Sequence, residues 1–254
     1  MPDLSTIIPH LLEASNVHTD WKQPLTNALQ AMDVDYLINL STDDSWLPGK
    51  QNLFAAFRND PANCRYILFG ESPYPRAASA NGIAFYDAAV NELWSDKGLS
   101  KPINRATSLR NMMKAMLLAQ NLITPDNEGK ITQGMIASVD KQPLIQTIHQ
   151  LFGRLQQKGF VLMNATPVLH PDRKPQQEAR YWIEFIGLLL KEISKLENHN
   201  PTLLLWGKIA QQIEQHEVTQ QFPQLVCEHP YNISFITQPD IQQLFHSLNL
   251  LENQ

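Results

Sequence analysis

Short apolar runs recur along the chain, and each is bounded by charged, glycine or proline residues. They lie at Tyr66 to Phe69, Phe160 to Met163, Leu203 to Trp206 and, with a weaker pattern, Gln224 to Cys227. Apolar runs of this length without polar alternation are typical of strands covered on both faces. The pattern predicts a buried, mainly parallel sheet.

Helical periodicity fills much of the sequence between these runs. Apolar residues in the stretch 108–121 fall close to i, i+3, i+4, i+7 and i+8, at Leu109, Met112, Met113, Met116 and Leu117. Thr107 or Ser108 can cap the start of this helix. Three further stretches predict helices: Pro143 to Gln157, Tyr181 to Leu196 and Lys208 to His216.

Strands that alternate with helices predict an α/β fold. We expect three layers, α/β/α, around a central, mainly parallel four-stranded sheet. The length of 254 residues fits one large α/β domain or two small ones. In parallel sheets of this kind, ligands bind beyond the carboxyl ends of the strands. The segments that follow the strands are therefore where chemistry is expected.

Those segments read GESPYP after the first strand, NATPV after the second and EHPYNIS after the weakest one. Pro73 and Pro75 fall within four residues, which predicts a rigid, sharply turning loop of the kind that suits a pocket wall. Taken alone, the other two loops are weaker indications of a binding or catalytic site. Asn164 at a strand end is often only a turn former, and His229 alone would more often be structural than catalytic.

Composition and charge narrow the range of possible functions. Hydrophobic residues make up 43% of the chain, which is enough for a sizeable core. A net charge of −5 argues against a broadly basic nucleic-acid binder, although a local basic patch is compatible with it. The two cysteines, Cys64 and Cys227, form no CxxC motif, and no His-rich spacing appears, so we expect no metal and no cofactor.

The N-terminal sequence MPDLSTIIPHLLEAS lacks the basic region and the long apolar core of a signal peptide. No apolar run reaches the length of a membrane span. The cytoplasm is the expected location, and we expect no membrane partner.

The order and spacing of the motifs resemble the uracil-DNA glycosylases. The run from Gly70 to Phe85 reads GESPYPRAASANGIAF and resembles the family block GQDPYHGPGQAHGLCF without a gap. Val161 to Asn164 resembles the family strand LLLN, LLLWGKIAQ resembles LLWGxxAQ, and HPYNIS is similar to HPSPLS. Upstream, LPGKQNLFAAFR resembles the segment before the first catalytic strand. The matches run in order from Leu47 to Ser234.

This resemblance implies hydrolysis of the N-glycosidic bond of a flipped uracil-like base, as in DNA base-excision repair. It implies uracil-containing or abasic DNA as the partner and a monomeric protein. It also implies one glycosylase-like domain over 1–254, with a helical segment at 1–45 and a motif-bearing core at 47–234. An unrelated α/β enzyme would require all of these ordered matches to be accidental.

The resemblance also implies roles for individual residues in reading the base. Phe85 would stack on it, and Asn164 would read the O4/N3 edge of uracil. Tyr74 would stand against C5 and exclude the methyl group of thymine. His229 would donate a hydrogen bond to O2 as negative charge develops there.

Other residues would bind the DNA itself. Ile233 stands where the family has an intercalating Leu. Ser108, Ser234 and Arg110 would contact the backbone, where neutral donors position DNA without adding charge. Arg76, Arg105 and Arg110 could supply a local positive field, although each could equally be an ordinary surface charge.

The match fails at the catalytic position, where the family has Asp and this chain has Ser72. Loss of a general base typically costs roughly 10²–10⁴-fold in rate. Glu71 lies beside it and is a candidate for a substitute base, but neighbouring side chains of an extended loop point to opposite sides, so this alternative is the less favoured one. Its expected role is in binding the base, with Tyr74, Phe85 and Asn164. We therefore expect a DNA N-glycosylase with weakened or altered activity. The alternative is a catalytically inactive, DNA- or protein-binding pseudo-glycosylase.

Overall fold

The computed structural model describes residues 3–196 and 200–253. Its helices are α1 (Leu4–Ala14), α2 (Thr19–Leu29), α3 (Val34–Thr42), α4 (Lys101–Arg105), α5 (Thr107–Ala119), α6 (Gln133–Ala137), α7 (Ile148–Gln157), α8 (Pro175–Ile193), α9 (Ile209–Glu214) and α10 (Pro239–Leu248). Its strands are β1 (Tyr66–Gly70), β2 (Trp94–Ser95), β3 (Gly98–Leu99), β4 (Phe160–Asn164), β5 (Thr202–Trp206) and β6 (Gln224–Cys227).

The central sheet has four strands in the order β4-β1-β5-β6. Strand β1 runs parallel to both β4 and β5, with Tyr66 beside Phe160 and Thr202, and with Gly70 beside Asn164. All four strands begin and end within one residue of the apolar runs in the sequence. A central parallel sheet flanked by helices confirms the predicted α/β class.

The chain divides into two compact units, each built from two segments. The first unit comprises the chain up to Asp87 together with Gly159–Leu225. The second comprises Ala88–Lys158 together with the chain from Val226 onward.

The core of the first unit is formed by the faces of the β1, β4 and β5 strands and by helices α1, α2, α3, α8 and α9. Helix α8 supplies much of it through one buried face, at Trp182, Phe185, Ile186, Leu189, Leu190 and Ile193. It begins six residues before the predicted start at Tyr181. Pro175 occupies the first turn, where a fixed φ and a missing N–H are tolerated. The added turns are polar and mostly exposed, so they show no apolar periodicity.

A buried polar cluster joins α3 to α8 in this unit. Glu178 is fully buried and accepts a short hydrogen bond from the phenol of Tyr36. Trp182 Nε1 donates to the same phenol oxygen at 2.8 Å, and Arg173 Nη1 lies 3.4 Å from the Glu178 carboxylate. Burial, and then the carboxylate, raises the pKa of Tyr36 well above its ordinary value. The phenol therefore stays a proton donor, and the buried carboxylate keeps two partners.

In the second unit, α5 packs against α10 through the apolar face that the sequence predicted. The predicted cap of α5 was wrong. Ala106 stands at the N-cap position, and neither Thr107 nor Ser108 makes a capping side-chain bond. Thr107 is instead the first residue of the helix itself.

Helix α7 begins at Ile148, five residues later than its predicted start at Pro143. Leu144 and Thr147 form isolated antiparallel bridges to Glu252 and Glu92, which keep the intervening backbone extended. The helix then starts with a capping box, in which the Thr147 hydroxyl accepts from the backbone N–H of Gln150 at 3.2 Å.

Replacing Tyr36 with Phe should lower the free energy of unfolding by about 1–3 kcal/mol, because a buried carboxylate and a buried indole N–H each lose a partner. Urea denaturation followed by circular dichroism measures this change. Tyr181→Phe is the matched control. Its ring stacks on Tyr36 with centroids 4.1 Å apart, and its hydroxyl makes no hydrogen bond within the described chain. Equal stability of the two variants would contradict the role of the cluster.

Candidate functional site

The carboxyl ends of β1 and β4 meet with no room for an extra atom. A Cβ placed on Gly70 would lie 2.5 Å from Asn164 Oδ1 and 2.8 Å from the Cβ of Ala84. Backbone hydrogen bonds hold the three segments in place, from Ala165 N to Gly70 O at 2.9 Å and from Ala84 N to Leu162 O at 3.0 Å. Glycine at position 70 is what allows this approach.

Asn164, the last residue of β4, carries a buried amide. The residue is 5% exposed, and its side chain makes no hydrogen bond to any residue in the ranges 3–196 and 200–253. Buried amides are normally hydrogen-bonded within the protein. An amide offers an acceptor oxygen and two N–H donors. This one is therefore suited to a ligand that presents both a donor and an acceptor.

Phe85 and Tyr74 lie together in the first unit. The backbone of Phe85 is left-handed, with φ at 64°, which is uncommon for a residue with a side chain. Its ring packs edge-on to Trp206, with centroids 6.0 Å apart. The Tyr74 hydroxyl donates to the backbone oxygen of Phe85 at 3.4 Å. Burial, followed by the charge of Asp87, raises the pKa of Tyr74 to about 12, so its phenol is neutral at physiological pH.

Glu71 and Ser72 lie where the backbone bends after β1, and they differ in exposure. The Glu71 side chain is exposed, while its backbone oxygen accepts from Thr166 N at 3.0 Å. Ser72 is half-buried, and its hydroxyl makes no hydrogen bond within the described part of the chain. A hydroxyl in this state can bind water or a ligand.

An ion pair that the sequence patterns did not indicate joins this loop to the segment after Phe85. Arg76 Nη2 lies 3.1 Å from Asp87 Oδ2, and the Asp87 side chain is only 7% exposed. The two residues are eleven positions apart and belong to no shared helix or strand, so no periodicity marks them. The pair ties the loop that carries Ser72 and Tyr74 to the backbone that carries Phe85.

The second unit carries His229. Its Nδ1 accepts a hydrogen bond from the backbone N–H of Tyr231 at 3.1 Å. When the ring is neutral, its proton must therefore be on Nε2. His229 can then donate a hydrogen bond from Nε2 without carrying a positive charge.

Four further predicted residues lie in the same unit. Ile233 is 74% exposed and begins a short 3₁₀ turn, Ile233–Thr237. Ser234 follows it, and its hydroxyl donates a short hydrogen bond to the carboxylate of Glu228. Ser108 lies half-buried in the first turn of α5. Beside it, Arg110 Nη1 donates to the backbone oxygen of Asn104 at 3.0 Å.

Asn111 is a residue of this unit that the sequence analysis missed. It is 3% exposed, and its Nδ2 donates to the backbone oxygens of Pro230 at 2.8 Å, Tyr231 at 3.3 Å and Asn232 at 3.4 Å. The sequence did contain a signal for Asn111: it is a polar residue within the apolar face of α5, and an amide buried there needs hydrogen-bond partners.

Among the described residues, one group has the composition of a metal site. His18, Asp20 and Asp60 place their ligand atoms within 4.8 Å of one another. His18 and Asp60 also act as N-caps, each accepting from a backbone N–H two residues later. Helix capping thus explains why His18 and Asp60 stand at these positions.

No helix in the described ranges is long and apolar enough to cross a membrane.

Comparison with known proteins agrees with this geometry. The sequence profile of the uracil DNA glycosylase superfamily matches residues 57–249. The chain belongs to this superfamily. The family that the motifs predicted is therefore confirmed, and with it the enzyme class of DNA N-glycosylases.

Individual members of the superfamily show how far the likeness extends. The crystal structure of wild-type UNG from Nitratifractor salsuginis superposes with a TM-score of 0.91 at 34% identity, covering 97% of each chain. The uracil-DNA glycosylase of Corynebacterium glutamicum is 22% identical over 78% of this chain and 74% of its own length. Mimivirus uracil-DNA glycosylase, at 15% identity and a TM-score of 0.53, shares the fold, covering 87% of this chain and 71% of its own.

Replacing Gly70 with Ala should displace the Asn164 side chain, because the new Cβ would clash with its Oδ1 and with Ala84. The side-chain amide resonances of Asn164 in a ¹⁵N correlation spectrum should shift, and the melting temperature should fall. Gly153→Ala is the matched control, since nothing lies within 4 Å of a Cβ there and Ala is the better helix former. Unchanged Asn164 resonances in Gly70→Ala would show that the site has room to spare.

Proposed function

We propose that this protein hydrolyses the N-glycosidic bond of a uracil-like base extruded from DNA. The buried amide of Asn164, without a protein partner in the described chain, carries the proposal. Uracil presents a carbonyl acceptor at O4 and a donor at N3–H, which together match one N–H and the oxygen of an amide. The superfamily to which the chain belongs acts on such bases.

Phe85 and Tyr74 complete the recognition of the base. The ring of Phe85 stacks on the base, and its left-handed backbone fixes the direction of that ring. Tyr74, held by its bond to the Phe85 carbonyl, stands against C5 and excludes a methyl group. A neutral phenol suits this place, because an ionised one would repel the negative charge that develops on the leaving base.

His229 stabilises the leaving base by donating from Nε2 to O2. Because Nδ1 accepts from the N–H of Tyr231, the proton of the neutral ring lies on Nε2, the nitrogen that would donate. Ser72 binds the attacking water but contributes neither a base nor a negative charge near C1′. The expected cost, roughly 10²–10⁴-fold in rate, makes this a slow glycosylase.

The DNA backbone is bound mainly by neutral groups. Ser108, Ser234 and Arg110 contact phosphates, and Ile233 enters the base stack. Few cationic contacts in a chain of net charge −5 predict a shallow dependence of affinity on salt. The protein acts as a monomer and needs no metal or cofactor.

One observation favours a second candidate, a pseudo-glycosylase that binds DNA or a protein without cleaving the base. The position of the family's catalytic Asp is occupied by Ser72, while the base-reading residues remain. Both candidates require DNA or base recognition, and they differ only in the release of the base.

Replacing Ser72 with Asp should accelerate uracil release by about 10² or more, because it restores both negative charge and a base for water. The measurement is uracil release from single-stranded DNA at high enzyme concentration. Ser72→Ala is the control: it adds neither charge nor base and loses the hydroxyl that binds water, so it should be no faster than the wild type. Adding His229→Ala to Ser72→Asp should remove much of the gain, because leaving-group stabilisation is lost.

The same assay separates the two candidates. No release by either the wild type or Ser72→Asp, with DNA binding intact, would establish the pseudo-glycosylase. Release by the wild type at any rate above a His229→Ala background would exclude it.

Replacing Asn164 with Ala should weaken binding of an oligonucleotide that carries a non-cleavable 2′-fluoro-deoxyuridine. The polar edge of the base would be left unpaired, at a cost of about 1–3 kcal/mol. Fluorescence anisotropy measures the affinity. Asn59→Ala, at an exposed position, is the control. Equal affinity in the two variants would remove Asn164 from base recognition.

A further inference from the structure

The loop after His229 exposes two large apolar side chains. Tyr231 is 67% exposed and Ile233 is 74% exposed, and these are the two most exposed large hydrophobic residues in the described part of the chain. Asn232 between them has an extended backbone, with φ at −80° and ψ at 139°. Two residues apart on one short loop, an aromatic ring and an aliphatic side chain are thus both exposed to solvent.

This exposure does not come from a loosely held backbone. Asn111 donates to three successive carbonyls of the loop, those of residues 230, 231 and 232. The N–H of Tyr231 is bonded to His229 Nδ1, and the N–H of Asn232 is bonded to His229 O at 2.9 Å.

Directly after the two exposed residues, the chain returns to the core. Phe235 is fully buried and Ile236 is 4% exposed. A loop fixed at both ends that nevertheless directs apolar side chains to solvent is typical of a binding surface.

We propose that Tyr231 is a second DNA-contacting side chain, which stacks on a base that loses its stacking neighbour when the target nucleotide is extruded. The inference rests on the proposed function, since it needs DNA on this loop. The family motif HPSPLS has a Ser where this chain has Tyr231, so a stacking ring at this position is a property of this chain. A planar ring stacks on any base, because every base has a π-face.

The position of Tyr231 on the loop indicates that its partner is a DNA base. The ring lies two residues from His229, which is proposed to contact the leaving base, and two residues from Ile233, which is proposed to enter the base stack. An aliphatic wedge separates bases but offers no π-face to the one it uncovers. Tyr231 supplies that face and so lowers the free energy of the distorted DNA.

The test uses DNA with a tetrahydrofuran abasic analogue and 2-aminopurine placed on its 5′ side, on its 3′ side or opposite it. Stacking on a tyrosine ring quenches the fluorescence of 2-aminopurine. We expect wild-type protein to quench one of these positions, Tyr231→Phe to quench it equally, and Tyr231→Leu to lose the quenching. Tyr231→Leu should also bind the DNA roughly fivefold to a hundredfold more weakly, because base–aromatic stacking is lost.

Each other result has a definite meaning. Equal quenching and affinity in Tyr231→Leu and the wild type, with unchanged melting temperatures, would overturn the inference. Intact binding and ring-dependent quenching without any uracil release would support the inference and reject only the hydrolytic activity. A wild-type protein that binds none of these DNAs would overturn the inference together with the proposed recognition of DNA.

Discussion

No atom fits between the end of β1 and the amide of Asn164, and the candidate site depends on this contact. Because Gly70 has no side chain, the two strand ends and Ala84 close on one another. The amide of Asn164 is thereby buried beside backbone groups that are already committed to each other. It then finds no protein partner within the described chain, so its hydrogen-bonding capacity remains available. The same closure sets the backbone that leads from Ala84 into the left-handed turn of Phe85.

Recognition and hydrolysis have different requirements in this arrangement. Recognition of a base needs shape and oriented dipoles, which Phe85, Tyr74 and Asn164 provide without charge in the proposed function. Hydrolysis also needs a charge close to the sugar, and Ser72 has none. The buried carboxylate of Asp87 lies in the same unit, but it is paired with Arg76 and holds the loop together. A chain can therefore keep the reading part of such a site while changing its catalytic part.

The sequence predicted the sheet well because continuous apolar runs have few alternatives to buried strands. It predicted helix starts poorly. The first turns of α8 are polar and, apart from Glu178, largely exposed, and residues 143–147 are held extended by bridges to distant residues. The residues proposed to read the base could be found because they occur in ordered motifs. The Arg76–Asp87 pair could not, since only the folded backbone brings those residues together.

The loop that bears Tyr231 and Ile233 is stiffened by the side chain of Asn111 rather than by a second proline. The family motif has a second proline where this chain has Asn232, and here the bonds from Asn111 hold the carbonyls instead. A proline restricts the chain in the unfolded and the folded state alike, whereas these bonds exist only after folding. The order of the loop is thus an enthalpic property of the native state. It should soften on warming sooner than a proline-stiffened loop, and it can be adjusted by changes on α5 that leave the loop sequence untouched.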